Sequence, residues 1–250
     1  MSSPYDGAQS YRPFQRPAEW QPQADKSFSS GRGLGLAASI LICLVAFAEV
    51  LVAVSDWYTY RVVKQYIDAP VDPGSLDRAD RVAGVVIVGY MLVLLAAGVV
   101  FIVWLWRMRS NAELFCEGQH RHGRGWVIGG WFCPVVNLWF PKQIVDDVIA
   151  ASDPRTPPRV PDLSGAGRSG TVLVWWITWL AGIGLGNLGG ADFASDVPTV
   201  DDLLTTAGMS TAGAVVTAVC AVLSVRLIDL VNHLQLSRPW VPWWATAPSQ

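Results

Sequence analysis

Charge is scarce in this chain. Only 38 of its 250 residues are Asp, Glu, Lys or Arg, which is 15%, against about 25% in an ordinary soluble domain. The shortage disfavours a soluble fold. Neither sign dominates: 18 basic residues face 20 acidic ones, net −2, so no broad basic field points to nucleic acid. Cysteine is sparse too. Cys43, Cys116, Cys133 and Cys220 sit in or beside apolar runs, which does not suit a secreted disulfide framework. Familiar catalytic signatures are missing: no G-x-S-x-G, no H-E-x-x-H, no Walker A sequence and no dinucleotide fingerprint. What the chain has in excess is apolar residues, 52% of the total, and that content excludes disorder throughout.

The excess is concentrated in runs. Residues 1–32 are polar and Pro-, Gln- and Ser-rich; they read as a disordered cytoplasmic tail and not as a signal peptide. Four apolar stretches follow, at about 34–54, 82–106, 171–188 and 203–225. Each meets the length test for a helix crossing about 30 Å of hydrocarbon. Trp57, Tyr58, Tyr60, Trp104, Trp106, Trp175, Trp176 and Trp179 fall in or near these stretches, as an interfacial aromatic belt would place them.

A fifth apolar stretch, 126–140, holds Gly129, Gly130, Pro134 and Asn137 in fifteen residues and makes a poor spanning helix. Loop charges support that reading. Segment 189–202 has four Asp and no Lys or Arg, whereas 107–124 and 141–170 have four basic residues each. By the positive-inside rule the two basic segments share the cytoplasmic side, which requires 126–140 not to cross. Loop 56–81, with four basic and five acidic residues, is less decisive. The expected fold class is an all-α membrane protein: four transmembrane helices, a re-entrant or interfacial segment between helices two and three, and both termini cytoplasmic. Within the membrane domain, 33–236, residues 141–152 read as an amphipathic helix, with Pro141 in its first turn and Gln143, Asp146 and Asp147 on its solvent face. Residues 153–170 read as a linker, and 237–250 as a Trp/Pro-rich tail.

The most distinctive pattern lies between Trp104 and Asp153. An aromatic-x-x-R-x-x-x-N-A stretch (Trp104, Arg107, Asn111, Ala112) is followed by Gly125-Trp126. Then comes a W-F-x-P-x-x-N-L-W-x-P core: Trp131, Phe132, Pro134, Asn137, Leu138, Trp139 and Pro141. This pattern resembles the bacterial membrane family called domain of unknown function 4328. The resemblance is close over about fifty residues and looser over the flanking pairs of spans. It implies a multi-pass membrane protein with no established activity.

Candidate residues follow from chemistry that an apolar setting makes costly. Pro134 lacks an N–H, and Asn137 can bond freed backbone groups. With Trp126, Trp131, Trp139 and Pro141 they form either a re-entrant element lining a small-molecule site or a rigid interfacial wedge. Glu49 stands about fifteen residues into the first span. It is an intramembrane carboxylate with a functional role, or it reaches water beside Asp56. Arg107 and Arg109 at the inner end of the second span, on a helix continued by Asn111 and Glu113 with Arg109 and Glu113 as i,i+4 neighbours, bind a lipid phosphate or anionic substrate or serve as a positive-inside anchor. Arg226, Asp229 and His233 share a helix face and read as a solvated salt pair, with a proton relay as the alternative. Cys116, His120, His122 and Cys133 carry zinc-type donors but at no recognisable spacing, so the expectation is a flexible loop with no metal or cofactor. Gly182 and Gly186 form G-x-x-x-G, which favours close helix contact.

The leading functional reading is a non-enzymatic cell-membrane component, structural, sensory or partner-binding, acting through its cytoplasmic face. The bilayer, a protein partner and a second copy of the chain are its expected contacts; nucleic acid is not. The alternatives are an oligomeric transporter or channel using Glu49 and the Pro134/Asn137 break, and last an intramembrane enzyme.

Overall fold

A computed structural model describes residues 27–69, 72, 74–163, 169–191, 199–238 and 241–245. Expectations for residues 1–26, and for most of the acidic loop and the last residues, fall outside that set. Among the described residues there are six α-helices: α1 (Arg32–Asp68), α2 (Gly74–Phe115), α3 (Trp126–Phe132), α4 (Phe140–Ser152), α5 (Gly170–Ala191) and α6 (Val200–Ser237). Short 3-10 turns cover Val136–Leu138 and Trp243–Ala245. Among the described residues there is no strand, only one isolated bridge between Gln119 and Asp162.

Three helices, α1, α2 and α6, are long and apolar enough to cross a membrane, and Gly170–Gly186 within α5 forms a shorter apolar helix. At 37, 42 and 38 residues, the long helices reach about 55–63 Å. They therefore overshoot an apolar layer of about 30 Å. Loop 56–81 is consequently helical over most of its length, since α1 runs on to Asp68 and α2 begins at Gly74. Apolar run length predicts where a helix can sit in lipid, not where its backbone ladder ends. Thr199 opens α6 with a capping box: its Oγ1 accepts from Asp202 N, and Asp202 accepts from Thr199 N.

α1 lies between α2 and α6 and runs antiparallel to both, its Gly35 beside Trp104 and Ile228 and its Trp57 beside Thr211, and α5 packs on α6. Close approach at one end of α1 requires glycine. A Cβ on Gly35 would lie 2.9 Å from Ile228 Cγ2 and 3.2 Å from Trp104 Nε1. Around that crossing lies the main core, in which Ala38, Trp104, Leu105, Ile144, Val148, Trp175 and Ile228 are buried. Further along, the outer faces of α1 and α2 carry large apolar side chains in the open, such as Phe47 at 61% and Val85 at 74% exposure. An apolar surface of that extent suits lipid, not water.

Two expectations change here. Trp104, Trp175 and Trp176 are buried and do not form a belt. Phe101 and Trp131 stack edge-on at 5.8 Å, and Trp131 meets Trp176 and Trp179 at 6.1 and 5.5 Å. Trp175 Nε1 donates to Ser224 Oγ at 2.8 Å, and Trp104 Nε1 to Asn232 Oδ1 at 3.3 Å. The rings clamp α5 and the broken segment onto the bundle, and polar helix positions satisfy two of their N–H groups. The second change concerns α4. Asp146 and Asp147 are buried, Asp147 completely, so the helix has no solvated acidic face. Lys142 Nζ donates to Asp146 at 2.7 Å, and a distant loop neutralises Asp147.

Candidate functional site

The ends of α2, α4 and α6 meet in a polar cap beside the start of α1. Gln235, 1% exposed, is its hub. Gln235 Nε2 donates to Met108 O at 2.9 Å and to Ser152 Oγ at 3.0 Å, and Oε1 accepts from Asn111 Nδ2 at 2.9 Å. The second N–H of Asn111 Nδ2 donates to Ser29 O at 2.9 Å, while Asn111 Oδ1 accepts from Ser29 N at 3.3 Å. Arg107 Nη1 donates to Ser30 O at 3.4 Å. Both amides are thus well satisfied despite burial. Arg107 and Asn111 hold the backbone just before α1, and Phe28 packs on Phe115 at 5.9 Å. The last residues of the expected tail are therefore a strap across α2.

Arg238, also in an expected tail, is buried against the same cap. Its Nη1 donates to Ala151 O (2.9 Å) and Asp153 O (2.7 Å), and its Nη2 to Phe115 O (3.1 Å) and Thr156 O (3.0 Å). The C-terminal ends of α2 and α4 leave carbonyls without intrahelical donors, and one guanidinium supplies several. No sequence signal marked Gln235, Ser152 or Arg238.

The expected flexible loop is pinned. Asp147 accepts from Arg121 N (2.8 Å), Nε (2.8 Å) and Nη2 (2.6 Å). Glu113 accepts from Arg109 Nε at 2.9 Å and Arg124 Nε at 2.6 Å. Burial alone would raise the Glu113 carboxyl; the hydrogen bonds and charges of Arg124 and Arg109 outweigh it and hold the group below its ordinary value. His122 stacks on Phe140 with centroids 3.8 Å apart and hydrogen-bonds Gln143 through Nε2 at 2.6 Å. His120 is half-buried, and both its ring nitrogens are shielded from water without a partner. Burial, reinforced by the Arg109 charge, pushes it down to about 4. Cys116 Sγ accepts from Gly118 N and lies 3.6 Å from Pro157 O. Among the described residues no group of three His, Cys, Asp or Glu is placed to hold a metal.

The broken segment flanks the cap. Cys133 takes extended backbone (φ −88°, ψ 112°), as a residue before proline prefers, and α3 ends there. Pro134, Phe132, Val135, Leu138 and Trp139 are exposed. Trp126, 40% exposed, meets Phe140 edge-on at 5.0 Å. Pro141 is buried in the first turn of α4. Leu138 O accepts from Trp176 Nε1 at 2.8 Å. Asn137 does not repair the break with its side chain: Oδ1 is buried without a partner, as is Trp131 Nε1.

Glu49 lies elsewhere. It faces Tyr90 on α2, and its Oε1 would sit 3.3 Å from a Cβ on Gly213 of α6. Its Oε2 has no partner. One to two turns on, Ser210 donates to Asp56, and Trp57 Nε1 to Thr211 Oγ1 at 3.0 Å. Gly213 is eleven residues, about 16 Å, from Ser224, where Trp175 docks. Glu49 and the Pro134/Asn137 break are therefore separate features. Of the G-x-x-x-G pair, Gly182 faces α6 near Thr217 and Val216, and Gly186 meets open space. Arg226, Asp229 and His233 are exposed.

Long apolar helices, lipid-suited outer faces and a polar cap at one end define a helical membrane protein. The chain belongs to the family described as Domain of unknown function (DUF4328), whose family model matches residues 67–233. No curated protein and no solved structure matches it. The match takes in Arg107, Asn111 and the Trp131–Pro141 core, and leaves out Glu49, Gln235 and Arg238.

The half-buried His120 sets an acid response. A folded-state value near 4 against 6.5 when unfolded means that the unfolded chain takes up a proton first as pH falls. Stability is full above 6.5, declines between 6.5 and 4, and loses on the order of 3 kcal/mol. Glu113, depressed in the fold, adds a further loss below its ordinary 4.5. Thermal unfolding in non-ionic detergent should show a midpoint falling steadily from pH 7 to pH 4. His120→Gln should flatten the upper part of that fall.

Proposed function

We propose that the protein is a non-enzymatic, multi-pass component of the bacterial cell membrane whose polar cap is a cytoplasmic platform for a protein partner. The observation that carries this reading is where the motif side chains go. Arg107 and Asn111 grip the backbone of Ser29 and Ser30, and Pro141 fills the start of α4. They make a rigid surface instead of converging on substrate. In this reading α5 is the fourth span. The strap before α1 and Arg238 after α6 share one side, since both are tied to the end of α2, and the basic residues of 107–124 and 141–170 support reading that side as cytoplasmic. Segment 126–140 is interfacial: α3 is seven residues long, about 10 Å, and Leu138 is tied to Trp176 near the start of α5.

Topology is tested by thiol labelling with Cys43, Cys116 and Cys220 replaced by alanine. Cys133 and an Asp201→Cys thiol should react from opposite sides of sealed vesicles; reaction from the same side contradicts the arrangement. The platform is tested by a photo-crosslinker at exposed Glu117, which should trap one reproducible partner in cells. Absence of any adduct, together with an unchanged envelope phenotype on deletion, counts against it.

One observation favours a second reading, small-cation transport: the unpartnered Oε2 of Glu49 inside an apolar stretch, the usual setting of an intramembrane functional carboxylate. In that case Glu49→Gln lowers proton- or sodium-linked flux in vesicles at least about tenfold. An unchanged flux removes the reading.

A further inference from the structure

One corner of the cap is electrostatically incomplete. Arg109 is 4% exposed, yet its Nη1 has no partner. The other two nitrogens are committed, Nε to Glu113 and Nη2 to His122 O at 2.9 Å. The guanidinium thus lies against the 120–122 turn, where both shielded nitrogens of His120 are also unpartnered. Buried donors without acceptors are rare in folded proteins and point to a missing group.

The charges around the corner say what kind of group. From α2 come Arg109 and Glu113, from the loop Arg121 and Arg124, and from α4 Asp147. Lys142 and Asp146 neutralise each other. Three guanidiniums therefore face two carboxylates, and both carboxylates already accept from arginine. A water molecule would satisfy one donor and leave the surplus positive charge. An anion satisfies both.

We propose that this corner binds a phosphate-type oxyanion, held by Arg109 Nη1 and a ring N–H of His120, with Arg124 at its solvent edge. Arg124 suits that place because its side chain is 35% exposed, and Arg–phosphate contacts are charge-assisted. The phosphate belongs to a free ion or to a lipid headgroup. Trp126, two residues on and half-exposed, brings the headgroup layer within reach when 126–140 is interfacial. Binding is linked to protonation. An anion beside His120 favours the imidazolium, so by reciprocity binding tightens as pH falls. Glu113 and Asp147 do not reverse this, because Arg109, Arg124 and Arg121 already offset them.

The test uses the full chain, labelled with ¹⁵N-histidine, in non-ionic detergent at fixed ionic strength. The ring signals are separated by His122→Gln and His233→Gln. Inorganic phosphate should shift the His120 signal and move its titration to higher pH. Apparent affinity should be about tenfold tighter at pH 5.5 than at pH 7.5. A second arm replaces the free ion with bilayer discs of phosphatidylcholine, with or without phosphatidic acid. A response to both probes assigns a free-ion site, and a response to phosphatidic acid alone assigns a headgroup site. Arg109→Met should abolish the response, whereas Arg155→Met, which removes an exposed partner of Asp153, should retain it. Should Arg109→Met fail to fold, the wild-type titrations decide. No change at His120 with either probe overturns the proposal, as does a folded Arg109→Met protein that responds like the wild type.

Discussion

The Arg238 guanidinium is the constraint on which the cap depends. A buried charge is costly unless its hydrogen-bonding capacity is met, and this one meets it with four backbone carbonyls from Phe115, Ala151, Asp153 and Thr156. Two of the acceptors close α2 and α4, where the helix dipole leaves partial negative charge. The geometry therefore works in both directions: the carbonyls solvate the cation, and the cation completes the helix ends. One turn earlier on α6, Gln235 repeats the device with neutral groups and draws in Met108, Ser152 and Asn111. Three helices distant in sequence are thereby joined at one point, and the strap before α1 is gripped by the same Asn111.

This joint makes the two ends of the bundle unlike. At the cap, side chains from α2, α4 and α6 interlock, and the tryptophan cluster binds α5 and the broken segment to them. Further along, α1 and α2 present apolar faces outward, and Glu49, Tyr90 and Asp56 lie among them, Asp56 held by Ser210 of α6. The family motif belongs to the first region. Its Arg and Asn hold backbone, its Pro134 breaks a helix, and its Pro141 starts another. Each is a role in building a surface. Glu49 belongs to the second region, about 16 Å along α6 from the Trp175–Ser224 contact, so one mechanism linking Glu49 to the break has no geometric support.

The membrane class was legible in the sequence because lipid imposes a length of apolar residues that few other environments require. The broken nature of 126–140 was legible for a similar local reason: Pro134 and the paired glycines leave too short a run to cross. Helix ends were less legible, since α1 continues for fourteen residues beyond Val54 on backbone bonds that need no lipid. The acidic pair on α4 misled most clearly. Asp147 looks solvated from its own helix, and only Arg121, 26 residues away in sequence, makes its burial affordable in energy. Gln235 and Arg238 carried no signal at all, because a single polar residue near a helix end is ordinary until its long-range partners are known. Contacts of that separation are what one sequence cannot specify by pattern.

Amide hydrogen exchange on Arg238→Ala measures the central claim directly. If the guanidinium joins α2, α4 and α6, the variant loses protection in residues 107–125 and 140–156 by at least about tenfold, while the apolar stretches of α1, α2 and α6 stay protected. Unchanged protection in the cap, or loss spread evenly along all the helices, would contradict the account.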